Sequence, residues 1–303
     1  MITAENLTKT YGATTAVDGI SFALQPGQVT GFLGPNGSGK STTMRMAVGL
    51  DRPTSGSITV CGMEYARHPA PIRNVGAVLD AGAAHPGRTG RGHLKALAAP
   101  CRIPAGRVEE VIELTGMGPA ANKRIRQYSL GMSQRLGIAA ALLGDPAALV
   151  LDEPVNGLDP EGVRWVRQLC RQFAAEGRTV FVSSHLMSEM AQTADHLIVL
   201  GRGRILADAP MGELISDGAE QRTLVRAEEA ATLMNALSGE GVTLTSLDTE
   251  TFEVSGVCPR IIGRRALDTG VVLHELTPQE TSLEDSYMRL TGEHVEYRSG
   301  GAG

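Results

Sequence analysis

The segment Gly34-Pro35-Asn36-Gly37-Ser38-Gly39-Lys40-Ser41-Thr42 joins the apolar stretch 29–33 to a helix-like stretch at 44–50. It fits the phosphate-loop pattern Gly-x-x-x-x-Gly-Lys-Ser/Thr, which requires a strand before the loop and a helix after it. Glycines let successive backbone N–H groups turn toward a phosphate, and the helix N-terminus adds a positive dipole. The segment therefore predicts an α/β fold that binds a nucleotide.

The residues of this loop are expected to make different contacts with the nucleotide. Lys40 would reach the β- and γ-phosphates, the Ser41 hydroxyl would ligate Mg²⁺, and Thr42 would help to hold the phosphates. The other predicted phosphate contacts come from Gly34, Asn36, Gly37, Ser38 and Gly39. A chance match in a chain with 37 glycines is the alternative, and the strand-loop-helix context argues against it.

A pair of acidic residues, Asp152 and Glu153, follows the apolar stretch 148–151. Ligands of parallel sheets bind at the carboxyl ends of the strands, so this pair is expected near the phosphate loop. Asp152 would hold the metal through water, and Glu153 would orient and deprotonate an attacking water. In isolation such a pair is often a solvated helix start. With the phosphate loop it favours a nucleotide hydrolase.

The segment 128–135 decides between families that share the phosphate loop. Ser129 and Gly131 match the signature Leu-Ser-Gly-Gly-Gln of ATP-binding cassette (ABC) ATPases, whereas Tyr128, Leu130 and Met132 depart from it. An ordinary capped helix is the alternative for this segment alone. The chain thus resembles ABC ATPases, a resemblance that extends over roughly residues 2 to 210.

Further residues carry the same resemblance in the expected order. Tyr11 matches the aromatic residue that stacks on adenine, with Val17 beside it. Asp159 is the acidic residue of 156–159, a segment similar to the loop that faces the opposite monomer. His185 matches the switch histidine that contacts the γ-phosphate. Each of these residues alone would more often be structural.

The resemblance implies a function that needs more than one copy of the chain. It implies a homodimer in which ATP and Mg²⁺ lie between the phosphate loop of one monomer and Ser129 and Gly131 of the other. It further implies a multi-spanning membrane permease as a separate partner, and a cytoplasmic location at the inner face of the membrane. Two competing classes are a soluble ABC-type ATPase of DNA repair or translation and a metabolic phosphate-loop kinase. The first usually carries coiled-coil insertions or two cassettes, and the second should lack Ser129 and His185.

One position departs from the ABC pattern. After the apolar stretch 75–79 the family usually has a glutamine, and here the residue is Asp80. A carboxylate there is expected to contact the Mg²⁺ ion, through water, while adding negative charge. This replacement, together with 84–88 and Leu94, resembles the bacitracin- and lantibiotic-resistance exporters of the ABC-2 type. The resemblance implies that a coupling helix of the permease docks near 80–97.

Composition excludes several classes of function. The chain has 303 residues and a formal net charge of −5, which argues against a surface that coats nucleic acid. The longest run without charged or strongly polar side chains, 136–144, is shorter than the roughly 20 residues that span a bilayer. The cysteines lack zinc-type spacing, and no secretory signal is visible. We therefore expect a cytosolic protein without a nucleic-acid partner.

Charge divides the chain into two expected domains. Residues 219–303 contain 14 acidic and 7 basic side chains, whereas residues 1–218 contain 19 acidic and 21 basic ones. The domain 1–218 is expected to bind the nucleotide, with a helical subdomain at about 80–146. Alternation of Ile20, Phe22 and Leu24 and a hairpin at 198–206 predict antiparallel additions at the edges of its parallel sheet.

The second domain, 219–303, is expected to be a small α+β accessory domain. Its pattern predicts the ferredoxin-like order strand-helix-strand-strand-helix-strand, at 223–227, 229–237, 242–245, 251–254, 260–267 and 271–276. A closing helix is predicted at 280–290, with a disordered Gly-rich end after it. Two roles stay open for this domain, a stabilising appendage and a regulatory or dimer-supporting part.

Overall fold

Buried apolar strands that alternate with helices build the part of the chain that contains the phosphate loop. A computed structural model describes residues 1–80, 82–216 and 222–279. These residues form two compact units, Met1–Met211 and a second unit that begins at Gly212. No helix in the described ranges is long and apolar enough to cross a bilayer.

The first unit contains strands and helices in alternation. Its strands are β1 (Ile2–Tyr11), β2 (Thr14–Leu24), β3 (Val29–Leu33), β4 (Ser55–Val60), β5 (Val75–Val78), β6 (Ala148–Leu151), β7 (Thr179–Ser184), β8 (His196–Gly201) and β9 (Arg204–Pro210). Its helices are α1 (Lys40–Ala47), α2 (Pro71–Asn74), α3 (Gly90–Ala98), α4 (Ala105–Leu114), α5 (Leu130–Leu142), α6 (Pro160–Ala175) and α7 (Met187–Thr193). The helix α8 (Met211–Ser216) follows at the boundary between the units.

The central sheet has the strand order β5-β6-β7-β3-β8-β9. Its first five strands are parallel, and β9 pairs antiparallel with β8 as the predicted hairpin requires. Strands β3, β6 and β7 are buried along their whole length, as expected where helices cover both faces of a parallel sheet. The adjacent carboxyl ends of β6, β7 and β3 bring the phosphate loop, the acidic pair and His185 to one edge. The predicted α/β phosphate-loop fold is confirmed.

The other predicted edge addition lies elsewhere. Strand β2 forms a separate antiparallel sheet of order β2-β1-β4 and does not extend the parallel sheet. Its alternating side chains are buried against a face of the central sheet, where the ring centroid of Phe22 lies 5.9 Å from Phe32 and 6.0 Å from Phe181. Alternate apolar residues require a covered face, and stacking of two sheets provides one. The prediction of an edge strand here was wrong.

The helical subdomain consists of α3, α4 and α5. Val108, Val111 and Ile112 are buried residues of α4. Leu114, the last residue of that helix, is 40% exposed. Residues 82–147 form helices and turns and contain no strand. These helices hold the signature-like segment at the start of α5.

From residue 222 to residue 279 the second unit forms an antiparallel sheet with two helices. Its elements are β10 (Arg222–Ala227), α9 (Ala230–Leu237), β11 (Thr243–Ser246), β12 (Thr251–Ser255), α10 (Pro259–Thr269) and β13 (Leu273–Gln279). The strand order β11-β12-β10-β13 confirms the ferredoxin-like prediction. Val225, Leu233, Phe252 and Ile262 lie at the centre of its core. The predicted helix at 280–290 and the Gly-rich end lie outside the described residues.

Candidate functional site

The phosphate loop is held open by contacts that only glycine allows. Gly39 precedes α1 with a φ angle of +106°, and a Cβ atom there would lie 2.5 Å from the Ala16 carbonyl oxygen. The Lys40 side chain folds back over the loop, and its Nζ donates hydrogen bonds to the carbonyl oxygens of Gly34 (2.7 Å) and Pro35 (3.2 Å). Lys40 therefore lies inside the curve of the loop, where a phosphate would bind.

The polar groups of the loop fit a nucleotide phosphate. Ser38 is 2% exposed, and its buried Oγ has no hydrogen-bond partner in the described part of the chain. A Cβ atom on Gly34 would come within 2.6 Å of that Oγ, so the backbone approaches the cradle closely. An unsatisfied buried hydroxyl is costly unless a ligand completes it. Ser41 is exposed and Thr42 half-buried, which leaves both available at the start of α1. Pro35, Asn36 and Gly37 in the same loop are exposed as well.

The charge of Lys40 depends on the acidic pair. Burial lowers the pKa of Lys40, and the negative charges of Glu153 and Asp152 oppose this effect. The opposition shows that both carboxylates lie close enough to act on Lys40 through space. A triphosphate in the loop would add further negative charge and favour the protonated lysine. The three residues therefore form one electrostatic unit.

Asp152 and Glu153 are positioned by a serine that sequence reasoning missed. The Ser183 hydroxyl donates to Asp152 Oδ1 at 2.5 Å and accepts from the backbone N–H of Glu153 at 2.9 Å. Glu153 has a φ angle of +49°, which non-glycine residues rarely adopt and which often marks a functional site. The available signal was the pair of serines, 183–184, that ends an otherwise apolar strand.

His185 lies beside the expected catalytic carboxylate. Its Nδ1 is 2.8 Å from Glu153 Oε2. An ionised carboxylate only accepts hydrogen bonds, so Nδ1 carries the proton and Nε2 stays free for a ligand. Glu153 is 21% and His185 43% exposed in their side chains, so solvent and substrate can reach both. The pair can therefore orient a water and a phosphate oxygen together.

The two residues predicted to contact adenine, Tyr11 and Val17, differ in burial. Tyr11 is 46% exposed, and its hydroxyl donates to Asp51 Oδ2 at 2.9 Å. Burial and the Asp51 carboxylate raise the pKa of Tyr11, and Lys9 Nζ lies 4.8 Å from the ring centroid. Val17 is fully buried, close to the position that a Cβ of Gly39 would take. Val17 thus supports the loop from below, and Tyr11 alone of the two can face a base.

The signature-like segment packs against the segment 156–159 of the same chain. A Cβ atom on Gly157 would lie 2.1 Å from Leu130 Cδ2. Ser129 caps α5 by accepting from the Met132 N–H at 3.2 Å.

The contact between the signature-like segment and the segment 156–159 also includes Gly131 and Leu158. A Cβ atom on Gly131 would lie 3.3 Å from Leu158 Cδ2. Asp159 caps α6 by accepting from the Gly162 N–H at 2.9 Å. In the hydrogen bonds of the described residues, neither Ser129 nor Asp159 reaches the phosphate loop.

Asp80 is placed at the end of β5. Its Oδ1 accepts a hydrogen bond from the Gly82 N–H at 2.7 Å, and it lines a cavity of about 520 Å³ together with His93 and Leu97. No hydrogen bond in the described part of the chain joins it to Ser41 or Asp152. The described residues also contain no cluster of three His, Cys, Asp or Glu side chains able to hold a metal. A metal would need oxygen ligands from Ser41 and the nucleotide as well.

Comparisons with known proteins identify relatives of this chain. Residues 17–156 match the family model described as ABC transporter, and residues 221–284 match a domain of unknown function, DUF8746. The bacitracin transport ATP-binding protein BcrA of Bacillus licheniformis is 33% identical over 308 residues, covering 96% of this chain and 97% of the relative. The lantibiotic transport ATP-binding protein SrtF of Streptococcus pyogenes is 34% identical and covers 69% of this chain and 90% of the relative.

A solved structure has the same fold as the first unit. The dimeric structure of MJ0796, a bacterial ABC transporter cassette, matches with a TM-score of 0.64 at 24% identity, over 70% of this chain and 99% of that chain. At this identity the likeness concerns the fold alone. Nearly full-length relatives above 30% identity determine the family. The chain belongs to the ABC transporter ATP-binding proteins.

Proposed function

We propose that this ABC ATPase powers export of a small molecule through a separate membrane permease. The observation that carries the proposal is the convergence of Lys40, Asp152, Glu153 and His185 at one edge of the central sheet. The bacitracin and lantibiotic transport named for its relatives supports a drug, an antibiotic or a lipid-like molecule as the substrate. DNA repair and translation receive no support from these relatives.

The residues of the site have separate roles in ATP hydrolysis. Lys40 and the backbone of 34–39 bind the phosphates. Ser41, and Asp152 through water, would hold Mg²⁺, which would neutralise phosphate charge. Glu153 Oε1 is free of the His185 contact and takes the proton of the attacking water. His185 donates from Nδ1 to Glu153 and turns Nε2 toward the γ-phosphate.

A second copy of the chain completes each site. Ser129, Gly131 and Asp159 serve no ligand of their own chain in this arrangement, and the exposed helix start at Ser129 offers N–H groups to an anion. We therefore assign them to the ATP held by the phosphate loop of the partner copy. Two such sites form in a symmetric homodimer. ATP binding closes the dimer and hydrolysis reopens it.

The permease is expected to dock on the groove that Asp80 and Leu97 line. This places the ATPase in the cytoplasm, on the inner face of the membrane. Residues 219–303 are assigned as an accessory domain beside the nucleotide-binding domain 1–218, because they contain no nucleotide motif. Their net negative charge argues against binding to nucleic acid.

The test of this function is coupling to a membrane protein. The tagged chain, expressed in its native host and purified from detergent extract, should retain a multi-spanning protein, and that complex should hydrolyse ATP faster than the chain alone. Lys40→Ala should retain the partner and lose the ATPase activity. A chain that hydrolyses ATP but never co-purifies with a membrane protein would contradict the export function.

Asp80→Asn is expected to change coupling and to leave nucleotide binding within a few-fold. Asparagine keeps an oxygen acceptor for the Gly82 N–H, so the turn survives and only the charge beside the groove is lost. The permease-stimulated ATPase rate should change relative to the rate of the isolated chain. Equal changes in both rates would show that Asp80 has no part in coupling.

A further inference from the structure

Ser183 is the only side chain in the described residues that hydrogen-bonds to both members of the acidic pair, to the side chain of Asp152 and the backbone of Glu153. It lies in β7 next to the last residue of that strand, and its side chain is fully buried. The register pairs Leu151 with Val182 on one side and Phe32 with Ser183 on the other. Ser183 therefore lies between the strand that ends in the acidic pair and the strand that leads into the phosphate loop.

The two hydrogen bonds of Ser183 have fixed directions. The backbone N–H of Glu153 can only donate, so the Ser183 oxygen accepts from it at 2.9 Å. An ionised Asp152 carboxylate can only accept, so the hydroxyl proton is directed to Asp152 Oδ1 at 2.5 Å. One hydroxyl thus satisfies a partly buried donor and orients a carboxylate. Asp152 Oδ2 stays available for a metal or its water.

The backbone at Glu153 needs such an anchor. Its φ of +49° lies in the left-handed region, which a residue with a side chain keeps only when its surroundings determine it. The bond to Ser183 holds the N–H of this residue, and His185 holds its carboxylate at 2.8 Å. Loss of the hydroxyl frees the backbone on one side of the turn and the Asp152 carboxylate on the other.

We propose that Ser183 is a positioning residue that sets, with one hydroxyl, the orientation of the metal-binding Asp152 and the place of the base Glu153. The inference rests on the proposed roles of these two carboxylates. Partners that orient metal ligands and bases typically contribute 10- to 100-fold to affinity or rate. Ser183 acts through its neighbours and touches no substrate.

The experiment measures both metal-dependent binding and turnover in the full-length chain. For Ser183→Ala we expect kcat to fall by about 10- to 100-fold. We also expect the gain in AMP-PNP affinity between EDTA and Mg²⁺, measured by calorimetry, to shrink by about tenfold. The affinity in EDTA should not change, because phosphate binding by Lys40 is intact. Ser183→Thr keeps the hydroxyl and should restore both quantities.

A matched control lies in the same strand. Thr179 is buried at the start of β7, and its Oγ1 has no hydrogen-bond partner among the described residues. Thr179→Val removes this buried hydroxyl without breaking a hydrogen bond among the described residues. It should change neither kcat nor the gain in AMP-PNP affinity that Mg²⁺ provides. If Ser183→Ala does not fold, Ser183→Cys, which replaces the hydroxyl by a larger thiol that is a weaker donor, serves the same test.

The outcomes separate this inference from the proposed function. Wild-type hydrolysis that Glu153→Gln abolishes and Ser183→Ala leaves unchanged would overturn the role of Ser183 alone. An equal loss in Ser183→Ala and Thr179→Val would also overturn it, since the effect would then belong to the strand. A wild-type chain without ATP hydrolysis would overturn the proposed function and this inference with it.

Discussion

Glu153→Gln is expected to lower the turnover of ATP by about 10²- to 10⁴-fold. Glutamine has nearly the size of glutamate, can still accept from His185 Nδ1 and leaves the Ser183 bond to the backbone intact. It lacks the basicity that takes the proton of the attacking water. ATP should therefore bind with almost unchanged affinity and stay unhydrolysed.

The trapped state should be visible as a dimer. With ATP and Mg²⁺, the Glu153→Gln protein should elute from size exclusion as a dimer that retains nucleotide, whereas Lys40→Ala should stay monomeric. Glu113→Gln, on the exposed side of α4, changes the charge equally and should behave like the wild type. Normal turnover in Glu153→Gln would mean that another group activates the water.

A mixture of two inactive variants is expected to regain activity. Lys40→Ala removes the ammonium that lies inside the phosphate loop, and Ser129→Arg fills the exposed helix start with a long cation. Each variant alone damages both sites of a symmetric dimer. In a mixed dimer both damaged parts fall in one site, and the other site combines an intact loop with an intact Ser129.

The size of the recovery can be estimated. With equal amounts and random pairing, half of the dimers are mixed and each has one of two sites intact, so about a quarter of the wild-type rate should return. Wild-type protein mixed with itself at the same dilution gives the reference. Activity that stays at the level of the separate variants, with wild-type rates linear in protein concentration, would indicate a site within a single chain.

The chemistry of the phosphate loop could be predicted from the sequence because it is local. Nine consecutive residues, 34–42, supply the glycines, the lysine and the hydroxyls, and the helix that follows them adds its own dipole. The parallel sheet could also be predicted, because strands covered on both faces are apolar throughout. The strand-helix order of the second unit was likewise visible as two alternating periodicities.

Contacts between distant segments were decided by the tertiary structure alone. The alternation of Ile20, Phe22 and Leu24 shows that one face of β2 is buried. It does not tell whether β2 is an edge strand of the central sheet or belongs to a second sheet that packs on it. The burial of Val17 could not be predicted from the sequence either, because it results from packing under the phosphate loop. The exposure of a residue depends on the segment that packs over it. Sequence periodicity shows which face of an element is buried but not which segment packs against that face.

The sharpest difference concerns Ser183. Its partners Asp152 and Glu153 lie 31 and 30 positions away in the chain, and they meet because β6 and β7 are neighbours in the sheet. The order of parallel strands depends on crossover connections, which leave no periodic trace in the sequence. The sequence by itself therefore determined which residues carry charge and hydroxyl groups at the strand ends. Only the strand order decided which of them share a hydrogen bond, because that order sets the distances between segments remote in the chain.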